Sequence, residues 1–169
     1  MDKDIRAQLF AQLQGVLNQI GATTTMIKGA DFQNGDTLRM LTPLNEQGGT
    51  ALIEFSLIDV DSDVSIMQIY TTVLTELTGG TNELEKAVAR LNLTCPIGAY
   101  GIFYAGLQCY HKYCVIIEAD AQMDGSVDAL MRALQFIIQT VAADYPLLYA
   151  LGSGALTFDK AVEDGYIKL

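Results

Sequence analysis

The chain has 169 residues, enough for one domain, and half of them are apolar, which supplies a single continuous core. Twenty acidic residues against ten basic ones give a formal charge of −10, a field that repels phosphate backbones and anionic lipid, so nucleic-acid and membrane-surface partners are excluded. Charged residues at 18% and the apolar half together exclude a disordered tail.

Asp2, Lys3, Asp4 and Arg6 interrupt the start of the chain, so no signal peptide is expected. No uncharged apolar run reaches the roughly 18 residues of a membrane span. Three cysteines, Cys95, Cys109 and Cys114, are odd in number and sparse, which points to free thiols in a reducing, cytoplasmic setting.

The first element is an amphipathic helix from about Asp4 to Ile20. Ile5, Leu9, Leu13, Val16, Leu17 and Ile20 recur at helical spacing, and Gly21 follows as a stop. Residues 22–77 then read as three or four strands. Thr23 to Lys28 is β-branched, Asn34-Gly35 marks a turn before Thr37 to Leu41, and Gly48-Gly49 precedes Thr50 to Val60. Asp59 to Asp63 forms a hairpin turn. Val64 to Leu77 carries apolar groups at both parities, so this strand is expected to be covered on both faces; its Met-Gln-Ile-Tyr centre is alternatively a helix start.

Gly79-Gly80 ends that run. Asn82 with Glu85 three residues on has capping-box spacing, Leu84, Ala87, Val88 and Leu91 form a stripe, and Pro96 closes a helix over 82–92. A strand pair over 99–119 turns at Gly106. Asp124 or Ser126 then caps a long helix over 124–145 that stops before Pro146. The tail, 146–169, contains the flexible joint Gly152-Ser153-Gly154 and a short helix capped by Thr157 through Val162. The expected fold is one α+β domain over residues 1–169, with an antiparallel (possibly mixed) sheet flanked by helices in the order α-β-β-β(-β)-α-β-β-α.

Ala89-Arg90-Leu91-Asn92, the following strand pair, and Asp124-Gly125-Ser126-Val127 leading into a long helix resemble the YbjN-like family, which shares the fold of type III secretion chaperones. The likeness covers roughly residues 83–148. It departs at Leu91, where the family often has an aromatic before the asparagine. The resemblance implies a mixed sheet with helices packed against it and dimerisation through the sheet or the helix near Asn82; for the chaperone branch it implies protein–protein contact as the activity, and for the YbjN branch almost nothing biochemical. It carries no catalytic residue over.

The residues themselves converge on no reaction. Cys109 and His111 share a strand face roughly 7 Å apart, and Cys114 faces the other way. That spacing is too wide for a nucleophile–base pair, and the paired ligand spacings of zinc sites are missing. Asp120, Gln122, Asp124 and Gly125 match the start of a calcium loop, but its twelfth position is Met131 instead of glutamate; a strand-to-helix turn explains them. Asp59, Asp61 and Asp63 read as a soluble hairpin. No phosphate-loop or nucleophile-elbow motif occurs. No enzyme, metal or cofactor is therefore expected.

What remains is aromatic. Tyr100, Ile102, Tyr104, Tyr110 and Tyr113 cluster around the second strand pair as a possible partner surface, with capping of the core edge as the bland explanation. The expectation is a non-enzymatic, homodimeric binding module for a protein segment, with a small-ligand or regulatory sensor domain as the alternative.

Overall fold

The computed structural model describes residues 2–29, 35–79, 81–118 and 122–168. In chain order its elements are α1 (Lys3–Gln19), β1 (Thr24–Ile27), β2 (Thr37–Pro43), β3 (Thr50–Asp59), β4 (Val64–Leu74), α2 (Thr81–Thr94), β5 (Ala99–Phe103), β6 (Gln108–Glu118), α3 (Met123–Gly152) and α4 (Phe158–Glu163). The strands form one antiparallel sheet in the order β1-β2-β3-β4-β6-β5. The class is α+β, in the order read from the sequence.

Contact density divides the chain into two compact units. The first comprises Met1–Thr42, Leu52–Tyr70 and Tyr113–Phe136; the second comprises Pro43–Ala51, Thr71–Lys112 and Ile137–Leu169.

In the first unit, Asp2 caps α1 by accepting the Asp4 amide at 2.8 Å, satisfying one of the orphan donors of a helix start. The helix buries Leu9, Phe10, Leu13 and Leu17. Phe10 joins the buried stripe unforeseen, while Ile20, expected in it, lies beyond the last helical turn and is exposed. Gly21, at φ 86°, and Ala22 donate back to Asn18 and Leu17, closing the helix in the left-handed turn that glycine adopts without a Cβ penalty. Thr24 Oγ1 then bonds both Gln14 and Asn18, tying β1 to α1. Strands β2 and β3 alternate, with Leu38, Met40, Ile53, Phe55 and Leu57 turned inward. Val127, Leu130 and Leu134 on the first half of α3 are buried at helical spacing. Each large side chain removed from water contributes about 1.5–3 kcal/mol. The β3–β4 turn is built as read: Asp61 Oδ1 accepts the amides of Asp63 and Val64, both at 2.8 Å.

In the second unit, α2 packs on β5 and α4 and buries Leu84, Ala87 and Val88. Thr157 caps α4 as expected, accepting the Lys160 amide. Glu83 accepts the Phe158 amide at 2.7 Å, fastening the start of α4 to α2. Gly152 accepts the Gly79 amide at 3.1 Å, and a Cβ on Gly79 would collide with the Ser153–Gly154 backbone. Gly152-Ser153-Gly154 is therefore a packed seam, not a free joint.

The Met-Gln-Ile-Tyr segment is strand, as expected, and not the alternative helix start. Several other local expectations are corrected. Only Thr71–Leu74 is buried at both parities; earlier β4 residues alternate between buried and half-buried. Helix α2 begins at Thr81, so Asn82 lies within its first turn, and Glu85 is hydrogen-bonded to the Tyr104 hydroxyl. Asp124 and Ser126 are likewise inside α3, which starts at Met123.

The largest correction is Pro146, which lies inside a 30-residue helix that was expected to stop there. A proline in a helix interior costs about 3 kcal/mol. Leu148 and Leu151, both fully buried just beyond it, offset that cost by packing. The Asn34 part of the expected Asn34-Gly35 turn, Gly80, and Asp120 of the calcium-like set lie outside the described residues.

Candidate functional site

The five residues singled out as a partner surface do not form one surface. The β5–β6 register pairs Tyr100 with His111 and Ile102 with Cys109. Both pairs face the buried side of the hairpin, and Tyr100 is only 4% exposed. Tyr110 pairs with Gly101 on the opposite side and is half-buried. Tyr104 falls in a 3-10 turn, Tyr104–Gly106, where it is 57% exposed. Tyr113 is half-buried and belongs to the first unit. Strand parity and the turn distribute the rings, so Tyr100 in particular is a core residue.

Tyr100 is instead the centre of a buried polar cluster in the second unit. Asn92 clamps its main chain from α2, donating to Tyr100 O at 3.0 Å and accepting from Tyr100 N at 2.7 Å. The Tyr100 hydroxyl donates to Asp144 Oδ2 on α3 at 2.7 Å. The ring meets His111 edge-on, with centroids 5.0 Å apart, an arrangement aromatic quadrupoles favour. His111 Nε2 lies 2.7 Å from the Ile97 carbonyl, and a carbonyl only accepts, so Nε2 carries the proton. Gly98, at φ 72°, allows this approach: a Cβ there would lie 2.5 Å from His111 Cε1.

Cys95 completes the cluster with Sγ 3.7 Å from His111 Nε2. A thiol, an imidazole and a carboxylate are thus gathered, which residue spacing did not foretell. The geometry nevertheless opposes nucleophilic chemistry. The Cys95 thiol donates to the same Ile97 carbonyl at 3.1 Å, so thiol and imidazole are two donors sharing one acceptor. With Nε2 already protonated, His111 has no lone pair to offer Cys95 there. Burial pushes the Cys95 thiol above its ordinary value, the reverse of an activated cysteine. Burial also lowers His111 and raises Asp144, the latter against the Tyr100 hydrogen bond. The carboxylate bonds the tyrosine, not the imidazole.

Cys109 is buried and pushed up to about 12, while Cys114 is exposed. His111 Nδ1 is buried without a hydrogen-bond partner, so the ring is held by one polar contact and by packing. Among the described residues, no group of three His, Cys, Asp or Glu side chains is arranged to hold a metal. Asp59 and Asp61 are engaged as turn acceptors.

Asp144 also lines a groove of about 550 Å³ in the second unit. Ala143, Pro146, Leu147 and Ala150 present a stripe of α3 at i, i+3, i+4 and i+7, facing Leu91 of α2 and Leu156 and Tyr166 of the tail. Nothing in the sequence flagged this groove, because it depends on α3 continuing through Pro146.

The first unit offers a different feature. On the side of its strands away from the core, Leu41 is 63% exposed, Ile58 48% and Ile116 68%. Arg39 and Glu54 on the same face pair at 2.7 Å, and Thr37 and Ser56 hydroxyls meet at 3.1 Å. Continuing that antiparallel ladder by one rung sets Leu41 beside Leu52. The face thus combines exposed aliphatic side chains with a neutralised ion pair and two paired hydroxyls.

No helix among the described residues is long and apolar enough to cross a membrane. No family model matches the chain, and no curated protein matches it.

Proposed function

We propose that the chain is a non-catalytic protein-binding module that pairs with a second copy of itself and holds a segment of a partner protein. The observation carrying this reading is the outer sheet face of the first unit, on which the large aliphatic side chains Leu41, Ile58 and Ile116 remain in water. Exposed apolar side chains gathered on one face are characteristic of interaction surfaces. In a chain of charge −10, a face whose Arg39 and Glu54 neutralise each other lets two copies approach with least repulsion. A two-fold pairing would be self-complementary there.

The YbjN-like and secretion-chaperone-like resemblance supports the same reading through the element order, a helix, four strands, a helix, two strands and a helix. Three free cysteines accord with a cytoplasmic location. The Cys95–His111 pair, with both groups donating to Ile97, supports a structural role for the buried polar cluster.

Light scattering on the eluting protein tests the pairing. The expected mass is twice the chain's 18.3 kDa, reverting to one chain in Leu41→Glu and Ile116→Glu, which alter exposed positions and leave the core intact. A wild-type chain that stays monomeric at all concentrations would overturn the pairing.

One observation favours a small-ligand sensor as a second reading. A pocket of about 340 Å³ in the second unit combines the Tyr145–Tyr149 ring pair, centroids 5.9 Å apart, with hydroxyls of Thr50, Thr78 and Ser153 and the Glu76 carboxylate. Rings with convergent hydroxyls suit a polyol. Thermal-shift titration with a series of sugars checks it; an unmoved midpoint across the series rejects it.

A further inference from the structure

Deepening the protein-binding reading, on which it rests, we infer that the groove of α2, α3 and the tail docks a basic amphipathic segment of a partner protein, with a lysine or arginine set against Asp144. The groove has the shape for a helix. Its α3 wall is a two-turn stripe on which Ala143 and Ala150 bracket Pro146 and Leu147. Small residues at the ends of such a stripe let a second backbone approach, and Leu147 with Leu91 supplies the apolar floor. The groove encloses about 550 Å³.

Charge selects the occupant. Asp144 is half-buried in an otherwise largely apolar lining, and burial already pushes its carboxyl up. Tyr100 satisfies Oδ2; among the described residues the carboxylate accepts no other hydrogen bond. The second acidic residue of the lining, Asp164, is paired with Lys160 at 2.8 Å, and among the described residues no basic side chain lines the groove. An arriving ammonium or guanidinium forms a charge-assisted bond where the surroundings screen it weakly. A neutral or acidic segment would strip water from Asp144 and return nothing. The −10 charge of the chain steers cations inward from a distance.

The test uses the full chain and two labelled helical probes, one of leucine and lysine at helical period and the same peptide with glutamate for lysine, followed by fluorescence anisotropy. The lysine probe should bind the wild type at least about tenfold more tightly than the glutamate probe, and Asp144→Asn should weaken it by about tenfold or more, as for a close charge pair losing one member. Because Asp144→Asn disturbs the Tyr100 bond, Ala143→Lys serves as a second variant. It changes an exposed helix position and should weaken the lysine probe comparably. Ala7→Lys, exposed on α1, changes net charge equally and should leave the probe within about twofold, since a distant exposed charge is screened. Ala150→Trp fills the groove and should abolish binding.

Equal effects of Ala143→Lys and Ala7→Lys, or unimpaired binding to Ala150→Trp, overturn the groove assignment. Equal binding of the two probes overturns the basic partner, and displacement by free spermidine as effective as by peptide overturns a protein occupant. These failures leave the mass of the dimer untouched, so they sink the groove without sinking the pairing; loss of the dimer signal alone does the reverse.

Discussion

Both units pair charges at the surface, but only one adds a network of polar side chains linking several elements in its interior. In the first, Arg6 pairs with Asp59, Lys28 with Asp36 and Arg39 with Glu54, above an apolar core of Leu9, Leu13, Ile53 and Phe55. In the second, Asn92, Tyr100, His111 and Asp144 join α2, β5, β6 and α3 through buried or half-buried hydrogen bonds. Apolar packing is non-directional and rewards area. A buried hydrogen-bond network rewards one geometry and penalises the rest. Apolar packing serves both units, the second burying Leu84, Leu148 and Leu151 fully, and the second adds a polar network that fixes position.

The comparison can be broken most severely in the first unit. Phe55→Ala leaves a cavity at a fully buried ring and should cost about 3–5 kcal/mol in urea unfolding; a cost under about 1 kcal/mol would mean the core there is not tightly packed. Next comes the second unit's network. Tyr100→Phe keeps the ring and removes the donor to Asp144, with an expected loss of about 1.5–3 kcal/mol. In a double-mutant cycle with Asp144→Ala, additivity would show that the bond carries no coupling.

pH sharpens the contrast further. His111 has its folded value lowered from 6.5 by burial, so the unfolded chain binds more protons, and stability falls as pH drops below 6.5. Asp144, raised from 3.8 by burial, works in the opposite sense: its contribution is present at low pH and is lost as pH rises through its folded value. In the first unit, Asp59 is lowered, since the Ser65 and Arg6 bonds outweigh burial; its contribution is lost only as pH falls beneath the usual carboxylate range. Amide exchange compared at pH 7 and pH 5 should show faster opening around β5 and β6 at the lower pH, and His111→Phe should remove that difference. A difference that survives the substitution would assign it to another group. The smallest effect belongs to the exposed pair: Arg39→Ala should cost about 0.2–1 kcal/mol and less in high salt.

The same contrast decides what the sequence revealed. Helical and alternating periods report burial of apolar groups, so α1, the β3–β4 hairpin and the α+β order were legible in Leu9, Leu13, Ile53 and Phe55. The turn near Gly106 was legible too, but the register that pairs Tyr100 with His111 was not, since a turn centred on Gly106 would set Tyr100 beside Lys112. The polar network was not legible, because Tyr100 and Asp144 are separated by 44 residues and meet only after α3 packs. Pro146 misled for a related reason: a local rule against proline lost to Leu148 and Leu151, whose burial is a tertiary fact. Grouping tyrosines by their nearness in sequence set together rings that strand parity and the Tyr104–Gly106 turn separate.

The contact of Gly79 with residues 152–154 joins main chain to main chain. Peptide groups are the same in every residue, so this junction depends on closeness and not on side-chain recognition. Gly154, at φ 78°, must stay small opposite Gly79, and one methyl group at position 79 would act as a wedge between the two stretches of main chain.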